Sequence, residues 1–206
     1  MIRILICLLP VLILMFVVSC RSCNGEKFTQ PKPLTEAEEM ELLIERLANV
    51  YRKPITLGAD AVVYQPKKDE TVRDEIKAKG RKIIPYLIKG MNHPNREVGL
   101  YCVALLSQIP FPSKAGLAAL VEKVNSFPLD SQDHDFPYWV YYSLYQLTGM
   151  GEVVPPSKNT RWDIQAMKDL WLPWWETNKD KLVDTDTGIG LKNDDGTITP
   201  LPLRKP

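Results

Sequence analysis

Val98-Gly99-Leu100-Tyr101-Cys102-Val103-Ala104-Leu105-Leu106-Ser107-Gln108-Ile109 and Phe136-Pro137-Tyr138-Trp139-Val140-Tyr141-Tyr142-Ser143-Leu144-Tyr145-Gln146-Leu147 decide the fold, because the second stretch rewrites the first 38 positions later. Val98, Tyr101, Cys102, Leu105, Leu106 and Ile109 recur at intervals of three and four, and so do Phe136, Trp139, Val140, Ser143, Leu144 and Leu147. That period lays each set along one face of a helix. A helical face written twice at this distance predicts stacked helical hairpins rather than a mixed fold.

Each copy has a helical stripe in front of it. Ile84, Leu87, Ile88 and Met91 precede the first, with Pro85 in the opening turn where its missing amide is tolerated, and Leu117, Leu120, Val121 and Val124 precede the second. The first helices are offset by 33 residues and the second helices by 38, so five extra residues fall in the turn Ser126 to Asp135, which is rich in aspartate. Two units are few, since stacked hairpins usually need at least three to bury a continuous core. Helices on either side are expected to cap them.

The N-terminal cap is announced by Thr35 and Glu38, a capping box in which the hydroxyl serves an orphan amide and the carboxylate reaches back. Met40, Leu43, Ile44, Leu47 and Tyr51 continue the stripe until Pro54. Between Lys53 and Lys68 the period lapses into a loop with one brief extended segment, Ala61 to Tyr64. Helical character resumes at Asp69 or Glu70, passes through Val72 and Ile76, and meets Gly80.

Gly80-Arg81-Lys82-Ile83-Ile84-Pro85-Tyr86-Leu87-Ile88, followed by His93-Pro94-Asn95-Arg96-Glu97-Val98 and the stripe to Ile109, resembles a HEAT-type repeat. The resemblance implies a short α-solenoid. One position departs: Gly99 stands just after the valine, where second helices of that family often carry an arginine that links neighbouring repeats. The closing Leu147-Thr148-Gly149, with a later Trp-x-x-Trp-Trp before the polar stretch Glu176 to Lys181, is similar to the ending of many bacterial HEAT-like proteins.

Four of the five tryptophans sit in that ending. Trp162, Met167, Leu170, Trp171, Trp174 and Trp175 follow at largely helical spacing after the loop Met150 to Asn159, and Pro173 predicts a kink or a fresh helical start. Large aromatic side chains suit a helix that covers the open end of a stack, because they bury the most area per residue. Stacking on sugars or cations is the other use of such residues. The remainder, 183–206, reads as an irregular extended tail with a turn at Asn193-Asp194-Asp195-Gly196-Thr197. Asp184-x-Asp186-x-Gly188 has part of a calcium-loop series, but the series is incomplete and the preferred reading is a polar turn.

At the other end, Arg3 precedes the apolar run Ile4 to Val18, fifteen residues interrupted only by Cys7 and Pro10. That is the length of a signal-peptide core and short of the roughly 20 residues a spanning helix needs. Val17-Val18-Ser19-Cys20 resembles the lipobox of bacterial lipoproteins. The resemblance implies cleavage after Ser19, a covalent lipid on Cys20 and residence in the bacterial cell envelope. Arg21 stands where lipoproteins retained at the inner membrane often carry Asp, which favours the outer membrane where there are two. An uncleaved N-terminal anchor is the competing reading, and either tethers the body to a membrane. The domain plan is therefore a leader at 1–19, a tether at 20–34, a helical-repeat domain at 35–182 and the tail. Of four cysteines, Cys7 leaves with the leader, Cys23 lies in the tether, and Cys102 on an apolar face is a buried small hydrophobe.

Chemistry is sparse. The formal charge of +1 becomes zero once Arg3 is removed, so no net field draws the body to nucleic acid. Glycine-rich phosphate loops, Gly-x-Ser-x-Gly elbows and His-Glu-x-x-His do not occur. The two histidines, His93 and His134, fall in corresponding turns beside Asp130, Asp133 and Asp135, which leaves open a metal site or an acid–base pair on the turn edge. Tyr138, Tyr141, Tyr142 and Tyr145 lie partly off the core stripe, and exposed aromatics are enriched at interfaces. The reading is of an all-α, non-catalytic module with a protein partner and no cofactor beyond the lipid on Cys20. An envelope metal- or ligand-binding protein or hydrolase using His93 and His134 is the alternative.

Overall fold

The computed structural model describes residues 32–50, 55–57, 61–63, 71–151 and 163–203. The chain divides into two units, Met1–Leu34 and Thr35–Pro206. Cys20, Cys23, Trp162 and the leader lie outside the described residues.

The second unit is mainly helical. Its elements are α1 (Glu36–Arg46), a 3-10 turn (Leu47–Asn49), strands β1 (Ile55–Leu57) and β2 (Ala61–Val63), α2 (Val72–Ala78), a second 3-10 turn (Gly80–Ile83) and α3 (Ile84–Gly90). Then come α4 (Arg96–Gln108), α5 (Lys114–Ser126), α6 (Asp135–Thr148), α7 (Ile164–Asn178), and strands β3 (Leu182–Thr185), β4 (Gly188–Lys192) and β5 (Ile198–Pro200). The predicted capping box opens α1: Glu38 N–H donates to Thr35 Oγ1 at 3.3 Å and Thr35 N–H to Glu38 Oε2 at 2.7 Å. Its stripe of Met40, Leu43, Ile44 and Leu47 is buried.

The two hairpins pack like on like. Helix α3 pairs with α4 and α5 with α6, while α3 also meets α5 and α4 meets α6. Corresponding residues are buried alike: Cys102 and Val140, Leu105 and Ser143, Leu106 and Leu144, Ile109 and Leu147 are all in the core, and Tyr101 and Trp139 are both half-buried at its edge. Ser143 replaces the leucine of the first copy without leaving a polar orphan, because its hydroxyl donates to Val103 O at 3.0 Å. Gly99 has a steric reason. A Cβ there would lie 3.2 Å from the Phe136 ring and 3.1 Å from Met91 O, so a side chain at that position is crowded unless these neighbours give by a few tenths of an ångström. The arginine link between the units comes from three residues earlier, where the Arg96 Nη2 group donates to Asp133 Oδ1 at 2.6 Å and Asp135 Oδ2 at 3.1 Å.

Helix α7 packs on α5 through Ile164, Met167 and Trp171, which are buried. Trp171 is wholly enclosed and meets Tyr141 and Trp174 edge-on, with centroids 6.2 and 6.0 Å away. Pro173 does not restart the helix; α7 runs through it. The ring is on the exposed face, so the carbonyl of Asp169 that loses its donor is left to water. Helix α6 ends at Gly149, whose φ of 67° admits the left-handed turn and whose N–H closes on Tyr145 O at 2.8 Å.

The tail departs from its expected irregular form. It is an antiparallel meander, β3-β4-β5, with the Asn193–Thr197 turn joining the last two strands, and the expected boundary after Leu182 falls inside β3. Leu182 and Ile189 are buried, so the sheet has an apolar face against the body, where β3 meets α5. Arg81 pins it. That guanidinium donates to Phe111 O at 3.2 Å, Pro112 O at 3.5 Å, Gly188 O at 2.9 Å and Thr185 O. Asp184, part of the faint calcium-loop pattern, accepts the Lys114 N–H at 2.6 Å and so serves the start of α5. The loop between α1 and α2 holds a second ladder, β1 antiparallel to β2 with Ile55 opposite Val63, where only a single extended segment was expected.

Candidate functional site

Helix α4 is apolar on more than one face. Beyond the stripe that faces the other helices, Leu100, Val103 and Ala104 are also buried, as befits a central helix. Along Glu97, Leu100, Tyr101, Ala104, Leu105 and Gln108, spaced by three, one, three, one and three, the same helix lines a cavity of about 290 Å³. Arg73 from α2 and Trp139 from α6 complete its wall. Glu97 is in the first turn of α4 and Gln108 in the last, about 16 Å apart at a rise of 1.5 Å per residue. The cavity is therefore a groove with an apolar floor and a polar group at each end.

Arg73 is the unusual member. Its Nε is shielded from solvent and has no hydrogen-bond partner. Glu97 lines the same cavity, yet no ion pair joins the two among the described residues. A buried donor on a cation without an acceptor is costly.

A ridge of aromatics continues from it. Trp139, the groove's wall, meets Tyr138 edge-on at 5.3 Å and Tyr142 edge-on at 5.9 Å between centroids, and Tyr138 and Tyr142 stack at 6.1 Å with an interplanar angle of 11°. All three are half-buried, and so is Tyr145. Tyr141 does not belong to this surface. It is buried against Trp171, where the capping helix covers that flank of α6. The expected tyrosine surface thus narrows and gains Trp139.

The turn edge is engaged in holding the units together. His93 Nδ1 accepts the Asn95 N–H at 3.0 Å, which leaves Nε2 as the protonated nitrogen facing Glu45 Oε1 at 3.1 Å. Lys123 donates to Asn92 Oδ1 at 2.8 Å and lies 5.0 Å from the centre of the Phe136 ring, and burial lowers its pKa. Asp133 does three jobs: it takes Arg96 and accepts the N–H groups of Asp135 and Phe136, both at 3.1 Å, at the start of α6. Burial alone would raise its pKa, but the Arg96 and amide hydrogen bonds outweigh that and hold it below the usual carboxylate range. His134 is exposed. Among the described residues no group of three or more His, Cys, Asp or Glu side chains converges as a metal site. His93, His134, Asp133 and Asp135 therefore do not assemble into the cluster that the metal alternative required.

Cys102 is enclosed between helices, and burial pushes its thiol up to about 12, so it is inert as a nucleophile at neutral pH. No described helix is long and apolar enough to cross a membrane. Arg73, Leu100, Ala104 and Gln108 were not among the candidates from sequence. The available signal was the width of the apolar arc on α4, where Leu100, Val103 and Ala104 extend the stripe well past one face. Comparison with family models, curated proteins and solved structures finds no match.

Proposed function

We propose that the chain is an exported lipoprotein of the bacterial envelope, lipidated at Cys20 and favouring the outer membrane where there are two. Its helical body is a short HEAT-like stack that acts as a non-catalytic binding module for a protein partner. The lipobox-like Val17-Val18-Ser19-Cys20 supports the anchor. The like-on-like packing of α3 with α5 and α4 with α6 supports the stack. The observation that carries the binding reading is the continuity of the α4 groove with the Tyr138–Trp139–Tyr142 ridge through Trp139. Apolar floor, flanking polar groups and aromatic rim are the composition of a recognition surface.

A photoreactive benzoylphenylalanine placed at Tyr142 tests it. In intact envelopes it should trap a discrete protein adduct that is absent when the same probe replaces exposed Asp195 on the sheet turn. Adducts that are the same at both sites, or none at Tyr142, sink the binding reading. Cys20→Ala should release the protein from membranes and block processing; unchanged fractionation contradicts the lipid anchor.

A further inference from the structure

We propose that the edge of the body at which α1, α3 and α5 begin lies on the lipid surface, with the side chain of Phe111 set into it; this rests on the membrane-anchor reading and says which side of the body the membrane meets. Three contacts fix the direction of the first two helices. Lys82 to Glu36 at 2.8 Å, Lys89 to Glu41 at 2.8 Å and His93 to Glu45 at 3.1 Å rise together in number, so α1 and α3 run parallel. Lys123 donates to Asn92 Oδ1 at 2.8 Å, and a Cβ on Gly116 would lie 3.7 Å from Ile84 Cγ2, so α5 runs parallel to α3 as well. All three therefore start on one edge. The chain enters the body there, at Thr35, the N-cap of α1. Fifteen residues, Cys20 to Leu34, separate the lipidated position from it, a reach of at most about 50 Å.

What that edge presents is apolar. Phe111, in the turn between α4 and α5, is 46% exposed, and it alone among the described aromatic residues is open to solvent. It stands between Pro110 and Pro112, and its carbonyl accepts the Arg81 Nε–H at 3.2 Å, so the tip is held in place. Leu203, also exposed, adjoins it: a Cβ on Gly188 would lie 2.9 Å from Leu203 Cδ1 and 3.7 Å from Pro112 Cγ. Around the tip Arg81 and Lys114 stand against Asp184 and Asp186, so net charge does not select the partner. Apolar transfer does. Moving a Phe side chain out of water shifts an equilibrium by about ten- to hundredfold. One ring suffices for an anchored body, because the tether keeps the lipid at high effective concentration, whereas a soluble protein partner has no such advantage.

The test uses the processed full chain in phosphatidylcholine vesicles, with Cys23→Ser and a single NBD fluorophore attached at Pro110→Cys, beside the tip, or at Leu129→Cys. Leu129 is the control, because it is exposed in the turn beyond the far end of α5, about 20 Å along that helix. A nitroxide on the lipid headgroup should quench the fluorophore at 110 and leave the one at 129 bright. Phe111→Asp should lower the ratio of docked to free body, read from that quenching, by about tenfold or more. A probe at exposed Ala115, in the first turn of α5, reads the same docking where Pro110→Cys disturbs the turn. Equal quenching at both ends, none at 110 or 115, or quenching that survives Phe111→Asp in a folded chain overturns the proposal. Shielding of 110 from aqueous iodide without quenching by the nitroxide lipid also overturns it, since another copy of the chain then covers the tip. If the tip stays unquenched while Cys20→Ala still releases the chain, only the docking surface is lost; if Cys20→Ala stays in the membrane, the lipid anchor falls by itself.

Discussion

Replacing Arg81 by methionine should loosen the C-terminal sheet from the helical body. The guanidinium bridges the turn after α4, at Phe111 and Pro112, to the β3–β4 turn, at Thr185 and Gly188, more than 100 residues away in sequence. Hydrogen bonds to charged groups are worth about 1.5–3 kcal/mol each, but bonds from one side chain are not additive, and the Pro112 contact at 3.5 Å is marginal. The expected net loss is about 2–4 kcal/mol. With a urea slope of about 1–3 kcal/mol/M, the unfolding midpoint should fall by roughly 1–2 M. Methionine keeps the stem and its packing, so the change reads the donors. Hydrogen exchange at the amide of Leu191 in β4 and of Leu201, which donates to Ile189 O at 2.9 Å just past β5, should accelerate more than at Leu105 in α4. A midpoint within about 0.3 M of wild type, with sheet protection unchanged, refutes the clamp.

Trp171→Ala should cost about 3–5 kcal/mol, read by calorimetry, because it empties the centre of the α7–α5 contact. Ser143→Ala should cost about 1 kcal/mol by removing the hydroxyl bond to Val103 O, measured by chemical denaturation. Gly149→Ala should destabilise by about 1 kcal/mol or more, because φ of 67° is left-handed and an added Cβ would lie 2.8 Å from Pro202 Cγ. Asp133 has a folded pKa below its unfolded value. Its contribution is therefore complete above the unfolded value near about 3.9 and is lost as pH falls through the folded one. In acid titrations followed by circular dichroism, the gap between wild type and Asp133→Asn should be widest above that range and close below it.

Local periodicity carried the helices. Intervals of three and four placed α1, α3, α4, α5 and α6 on their buried faces, and the Thr35–Glu38 box set the start of α1. Failures came where a long-range partner decided the matter. Weakly patterned residues after Leu182 form strands because β3, β4 and β5 pair with one another over the flank of α5. Pro173 is carried inside α7 because its exposed position leaves the lost hydrogen bond to water. Tyr141 and Tyr142 are neighbours of one type in sequence, yet one is enclosed by Trp171 and the other stays on the ridge.

The candidate site divides the same way. Tyr101 and Trp139 were visible as equivalent positions of the repeated face, but that they line a groove depends on Arg73 arriving from α2. The turn-edge histidines and aspartates were equally visible, and what Arg96, Glu45 and Asn95 do with them was not. Sequence by itself determined the helical stripes and their repetition, because the period of an amphipathic helix is local chemistry. Only the tertiary structure decided which polar groups found partners and which, like the Arg73 Nε, were left without one, because hydrogen-bond satisfaction depends on residues brought together from distant parts of the chain.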